Sequence, residues 1–151
     1  MDINTEAQDF DNANYISGEK AKLLSRITNI DERLNDFKEL LKKTVNCSMD
    51  YSLDSLKYVE LLLMNLNPSL ESDEDLLIDS ALYLGETVKR TFDANWDISD
   101  DEDDSTDHYG QPIITGHNPY EDFYPFLEIR YFIANPAIGY FKGVIQRQVR
   151  P

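Results

Sequence analysis

Residues 81–96 read ALYLGETVKRTFDANW, and they carry the strongest signals for the fold. An apolar helical pattern, an interior glycine, a Lys-Arg pair and the only tryptophan of the chain meet here. A glycine inside a helix costs about 1 kcal/mol of helix propensity relative to alanine. A chain usually tolerates that cost where another backbone comes close. We therefore expect Gly85 to lie at the centre of the fold, with Tyr83 and Trp96 as further structural residues.

The helix that contains this stretch is predicted from about residue 73 to residue 92. Its apolar residues fall on two faces of the helix. One face consists of Leu77, Ala81, Leu84 and Val88, and the other of Ile78, Leu82, Gly85 and Phe92. A helix that is apolar over so wide an arc is buried from two sides. The sequence therefore predicts a central helix against which the other elements pack.

The first third of the chain predicts an arm followed by a long helix. Residues 1–18 are rich in Asp and Asn and are interpreted as a flexible acidic arm, whereas residues 19–151 are expected to form a single globular domain. An amphipathic helix is predicted over 19–44. Its apolar seam consists of Leu23, Ile27, Ile30, Leu34, Phe37 and Leu41. This narrow seam either packs on the core of the same chain or, through residues 23–41, pairs two chains into a dimer.

The rest of the chain predicts further helices and a small sheet. A short apolar helix is expected over 53–66, and β-prone runs at 95–99 and 112–115 indicate a hairpin or edge pair. The apolar residues of 126–133 also alternate as in a strand, but a leading proline favours a helix. A final helix is expected over 138–149. The predicted fold class is α+β, predominantly helical, with four to five helices and a two- to three-stranded antiparallel sheet or hairpin.

The charge of the chain restricts its partners. The 151 residues include 29 acidic and 14 basic side chains, which gives a formal net charge of −15 and a pI near 4.3. Such a chain repels phosphate backbones and anionic membrane surfaces, so we expect it to bind neither nucleic acid nor membranes. A basic protein partner is favoured instead.

Three features of the sequence favour a cytoplasmic location. Cys47 is the only cysteine, so no disulfide forms within the chain, which fits a reducing compartment. The N-terminal residues lack the positive and apolar regions of a signal peptide. The sequence also contains no run of about 18 apolar residues that would span a membrane.

An acidic segment is predicted between the two strands of the hairpin. No frame of this segment matches a calcium-binding EF-hand loop, which needs glycine at its sixth position and glutamate at its twelfth. The segment is therefore interpreted as a solvated loop, as a docking patch for a basic partner, or as a weak and nonspecific site for divalent cations. The predicted docking face consists of Asp100, Asp101, Glu102, Asp103, Asp104, Glu121 and Asp122.

No set of residues in the sequence predicts catalysis. Cys47 has no base near it in the sequence, and His108 and His117 lack a third firm metal ligand. The chain contains no GxSxG, P-loop or GxGxxG motif. We therefore assign no catalytic, cofactor-binding or metal-binding residue and expect a protein that is not an enzyme.

Several segments, taken in order, resemble a known group of proteins. They are YSLDSL at 51–56, ALYLGE at 81–86, Arg90, Trp96, GQPI at 110–113 and a helix led by Pro125. This order resembles an uncharacterised group of small bacterial proteins with a YSxxS … YLGE … W … P pattern, and it covers roughly residues 51–149. The resemblance implies a mostly helical α+β fold and a bacterial, cytosolic protein, and it implies no catalytic residue. The acidic segment before residue 110 is longer than the pattern leads us to expect.

Two classes of function remain open. The first is a non-catalytic interaction protein, such as an immunity-type inhibitor or a secretion chaperone that covers a basic toxin or effector. The alternative is a ligand-binding protein or cryptic enzyme with a tyrosine-rich pocket between the central helix and the C-terminal segment. A pocket that converges on polar groups would favour the second class.

Overall fold

The computed structural model of the chain describes residues 29–47, 49–99 and 112–149. In these ranges the chain forms five α-helices, one short 3₁₀ turn and one two-stranded antiparallel sheet. The predicted fold class, a predominantly helical α+β fold with a small hairpin, is confirmed. The arm predicted over 1–18 and the docking residues 100–104 lie outside the described residues.

Helix α1 spans Ile30–Val45 and packs on the core of the same chain. Its first turn is acidic and its last turn is basic, which suits the helix dipole. The helix ends at Asn46, which has a left-handed φ of 52°. Leu34, Phe37 and Leu41 of the predicted seam are buried in the core. These three side chains are therefore used inside one chain and offer no surface to a second copy.

A 3₁₀ turn at Leu53–Ser55 leads into helix α2, which spans Leu56–Leu66. Ser52 starts this segment because its side-chain oxygen accepts a hydrogen bond from the backbone N–H of Ser55 at 3.1 Å. The helix ends at Asn67, which has a φ of 46°. The predicted helix is therefore present, with its first turn wound as a 3₁₀ turn.

Helix α3, Glu74–Phe92, lies at the centre of the fold. Every residue from 80 to 88 is buried, as expected for a helix that is apolar on two faces. Helix α1, both strands of the sheet and the helix that follows the sheet contact α3. The helix ends at Asp93, which has a φ of 52° and lets the chain turn into the sheet. The prediction of a central helix is confirmed.

Strand β1, Asn95–Ile98, pairs antiparallel with strand β2, Pro112–Thr115, and the two form the predicted hairpin. Trp96 lies opposite Ile114 in this pairing. Phe123 extends the hairpin by an isolated bridge to Ile114, with backbone hydrogen bonds of 2.9 and 3.0 Å. The chain beyond β2 therefore folds back along the hairpin before the next helix begins.

Helices α4, Pro125–Ala134, and α5, Tyr140–Gln148, complete the described fold. Pro125 lies in the first turn of α4, where its missing N–H removes no helical hydrogen bond. The segment 126–133 is therefore a helix, as predicted, and not a strand. The buried residues of these two helices include Leu127, Ile129, Phe132, Phe141, Val144 and Ile145.

Candidate functional site

Trp96 packs across helix α3 at Gly85. A Cβ atom placed on Gly85 would lie 2.5 Å from Cζ2 and 3.1 Å from Cζ3 of Trp96, with Cη2 closer still. Real Cβ contacts are essentially never this short, so only glycine fits beneath the indole ring. The structure thus shows a close approach at Gly85, although the neighbour is a side chain and not the backbone that the sequence led us to expect.

The carboxylate of Glu86 holds Trp96 and Arg90 in place. This buried residue accepts hydrogen bonds from Nε1 of Trp96 and from Nε of Arg90, each at 3.0 Å. Nζ of Lys89 lies 3.7 Å from the same carboxylate. A buried charge is tolerated when it is paired and hydrogen-bonded in this way. Glu86 therefore ties the end of α3 to strand β1.

Tyr83 connects α3 to the segment that precedes α2. Its hydroxyl accepts a hydrogen bond from the backbone N–H of Tyr51 at 2.9 Å and lies 3.0 Å from Oγ of Ser55. The rings of Tyr83 and Tyr51 are stacked, with centroids 4.9 Å apart and an interplanar angle of 17°. Burial raises the pKa of the Tyr83 phenol above its usual range. The hydroxyl is therefore neutral, and it has two polar partners inside the fold.

Tyr51 has an unusual backbone conformation. Its φ of 61° is left-handed, which for a bulky residue costs on the order of 1–3 kcal/mol. The guanidinium carbon of Arg90 lies 3.8 Å from the centre of the Tyr51 ring, on which Tyr83 also stacks. These contacts, together with the hydrogen bond from its backbone N–H, hold Tyr51 in this conformation.

The contacts described above join the segments that carry the YSxxS … YLGE … W pattern. The residues in this network are Tyr51, Ser52, Ser55, Tyr83, Gly85, Glu86, Arg90 and Trp96. Each of them has a packing or hydrogen-bonding partner inside the domain. Sequence reasoning singled out Tyr83, Gly85 and Trp96, but it missed that Tyr51 and Glu86 complete the network. The YSxxS … YLGE … W pattern was the signal that could have identified Tyr51 and Glu86, because both residues are part of it.

Two more carboxylates are bound to internal donors. Glu60, which is buried, accepts hydrogen bonds from the backbone N–H groups of Gly139 at 2.8 Å and Phe141 at 3.0 Å. Glu128 accepts a hydrogen bond of 2.6 Å from the phenol of Tyr140. Burial raises the pKa of both glutamates above the usual carboxyl range. Both carboxylates therefore anchor helix α5.

The raised pKa values predict how stability depends on pH. Burial raises the folded-state pKa of Glu60 and Glu128. Each therefore stabilises the fold most below its unfolded pKa and loses that contribution as the pH rises through the folded-state pKa. Repulsion among the charges behind the net charge of −15 also lowers the stability of the fold as the pH rises. We therefore expect the free energy of unfolding, measured with urea, to fall as the pH rises from about 4.3, the usual pKa of glutamate, to about 7. A higher urea midpoint at the upper pH would contradict this.

The two parts of the predicted docking face are attached at opposite ends of the hairpin. At one end Ile98 pairs with Pro112, and the acidic segment 100–104 follows from there. At the other end the chain continues into the loop that carries Glu121 and Asp122, both of which are exposed. Strands of this length separate the two ends by about 10 Å.

Within the described residues, the thiol of Cys47 contacts Met49 and the ring of His117 contacts Gln148. Sγ of Cys47 lies 3.7 Å from Sδ of Met49, and burial raises the pKa of the thiol, which lowers its reactivity. Nε2 of His117 lies 2.8 Å from Oε1 of Gln148, and its buried Nδ1 has no hydrogen-bond partner. Within the described ranges, no group of three or more His, Cys, Asp and Glu residues is arranged to hold a metal ion.

Comparison of the chain with protein-family models, curated proteins and solved structures finds no match. In the part of the chain that the structure describes, no helix is both long and apolar enough to cross a membrane. Function is therefore inferred from the charge and the geometry of the chain itself.

Proposed function

We propose that this chain is a non-catalytic interaction protein that binds a basic partner protein, as an immunity-type inhibitor or a chaperone does. The observation that carries this proposal is the distribution of charge. Residues 91–129 hold eleven acidic residues and no lysine or arginine. A segment whose charges all have one sign attracts a surface of opposite charge and accelerates the encounter with it. The resemblance to small bacterial proteins favours a bacterial, cytoplasmic setting for this interaction.

The division of the carboxylates between interior and surface supports this function. The buried Glu60 and Glu86 and the half-buried Glu128 accept hydrogen bonds from donors within the chain. Other acidic side chains, such as Glu39 on α1 and Glu121 after β2, are exposed. The interior carboxylates thus stabilise the fold, whereas Glu39 and Glu121 face the solvent from which a cationic partner would approach.

The tyrosines near the central helix give less support to a pocket for a ligand or a reaction. The hydroxyl of Tyr83 is bound to the segment before α2, on Tyr51 and Ser55. The hydroxyl of Tyr140 is bound to Glu128. Neither hydroxyl is left to line a pocket between the central helix and the C-terminal segment.

Neutralisation of the acidic residues is expected to remove the partner. The chain is immobilised and used to capture proteins from an extract of its source cells in about 50 mM salt, where charges are weakly screened. We expect one stoichiometric partner with a basic pI. In a variant with Asn or Gln at 100–104, Glu121 and Asp122, we expect recovery of this partner to fall about tenfold or more, because its ion pairs are lost.

A matched control separates the docking face from net charge alone. Glu32 and Glu39 lie on the exposed side of α1, so Glu32→Gln with Glu39→Gln removes the same charge as Glu121→Gln with Asp122→Asn. We expect the α1 pair to retain the partner and the pair in the loop to weaken it. Capture of only acidic proteins, or equal recovery by the neutralised variant at low salt, would refute the proposal.

A further inference from the structure

We infer that the loop between β2 and α4 is a docking element in which Tyr120 receives an arginine side chain of the basic partner. This inference rests on the proposed function and adds the residue and the chemistry of recognition. The side chain of Tyr120 is 91% exposed, the largest exposed fraction among the described large hydrophobic residues. Single exposed apolar residues are common on protein surfaces. What distinguishes Tyr120 is how firmly the loop beneath it is held.

Both sides of the loop are fixed to the rest of the fold. The backbone N–H of Tyr120 donates a hydrogen bond of 2.7 Å to Oδ1 of Asn118. The amide nitrogen of Asn118 in turn donates to the backbone oxygen of Gln148 at the end of α5. The adjacent His117 bonds to the side chain of the same glutamine. The first side of the loop is therefore tied to helix α5.

The second side of the loop is tied to the sheet. Phe123 is fully buried and exchanges two backbone hydrogen bonds with Ile114 of β2. Its ring also meets the ring of His117 edge-on, with centroids 6.2 Å apart. Tyr120 thus extends into solvent from a loop that is anchored on both sides. A rigid aromatic side chain loses little conformational entropy when it binds, which suits the centre of an interface.

Tyr120 lies in an acidic stretch of the chain, and this charge favours a cationic group on its exposed ring. The next residue, Glu121, is exposed and acidic. The loop lies within residues 91–129, which contain no lysine or arginine to occupy the ring from the same segment. An arginine guanidinium stacks on an aromatic ring and pairs with a neighbouring carboxylate, which a lysine ammonium does less well. The occupant that fits is therefore an arginine-rich segment of the partner.

A titration with a peptide of known composition tests the inference. Isotope-labelled chain is titrated with nona-arginine in about 50 mM salt and followed by NMR. We expect the largest shift changes in residues 116–124. We expect Tyr120→Ala to weaken binding about two- to fivefold, the range of an exposed cation–π contact, and Tyr120→Phe to bind as wild type does. Nona-lysine is expected to bind more weakly than nona-arginine.

Tyr131 supplies the matched control, because it is the other strongly exposed tyrosine in the described ranges and lies on α4. We expect Tyr131→Ala to leave the affinity unchanged. If wild type binds nona-arginine but Tyr120→Ala binds equally well, or the shifts centre on another surface, the inference alone is wrong. If wild type binds nona-arginine no better than an uncharged peptide of equal length, the proposed function fails with it.

Discussion

Replacement of Gly85 by alanine is expected to lower the free energy of unfolding by about 1–3 kcal/mol, the usual cost of overpacking a core. The added Cβ would lie 2.5 Å from Cζ2 of Trp96. The indole has little room to move, because strand β1 holds its backbone and Glu86 binds its Nε1 at 3.0 Å. At a solvent-exposed position in a helix, the same substitution would stabilise the protein by about 1 kcal/mol. The sign of the measured effect therefore shows whether the indole packs against Gly85. Urea unfolding followed by circular dichroism measures it.

Gly143 provides the control for this prediction. It also lies inside a helix, but a Cβ there would be 3.6 Å from Nη1 of Arg147, which is an ordinary contact. We expect Gly143→Ala to be neutral or to stabilise by up to about 1 kcal/mol. In the background of Trp96→Phe, Gly85→Ala should cost less, because the smaller ring frees the space above the glycine. A stabilising Gly85→Ala in the wild-type background would contradict the packing described here.

Replacement of Glu60 by alanine is expected to destabilise the fold by about 2–4 kcal/mol, because it leaves two backbone donors, one of them buried, without their acceptor. These donors are the N–H groups of Gly139 and Phe141 at the start of α5. The loss should appear first in α5, so its amides should exchange with solvent faster than those of the central helix. Urea unfolding and hydrogen exchange together measure the size and the location of the effect.

Two further variants serve as controls for the Glu60→Ala prediction. Glu60→Gln keeps one oxygen acceptor but turns an amide N–H₂ toward the second donor, so we expect a loss smaller than that of Glu60→Ala. Glu39→Ala removes an exposed glutamate from α1 and should change stability by less than about 0.5 kcal/mol. Equal urea midpoints for Glu60→Ala and Glu39→Ala would show that the carboxylate does not hold α5.

The outline of the fold could be predicted because its signals are local. The two apolar faces of α3 repeat along the helix itself, and Ser52 caps its own segment. The β-prone runs at 95–99 and 112–115 predicted the two strands that pair in the hairpin. Such signals depend on neighbours within a few positions, so one sequence is enough to detect them.

The candidate site could be predicted only in part. A close approach at Gly85 could be predicted, because glycine is unusual within a helix. Nothing in the sequence indicated that the neighbour is the ring of Trp96. The docking face predicted at 100–104, Glu121 and Asp122 stays a prediction, because residues 100–104 lie outside the described residues. Tyr120 was not singled out, because the contacts that fix its loop come from the distant Gln148.

The acidic charge, the helices and the hairpin of this protein are predictable from one sequence, since they follow from composition and from short-range periodicity. Which carboxylates lie in the interior and which remain at the surface depends on the tertiary fold. Glu60 meets its donors about 80 positions further along the chain. A buried charge must find a partner wherever the packing supplies one, and that packing is a property of the whole fold.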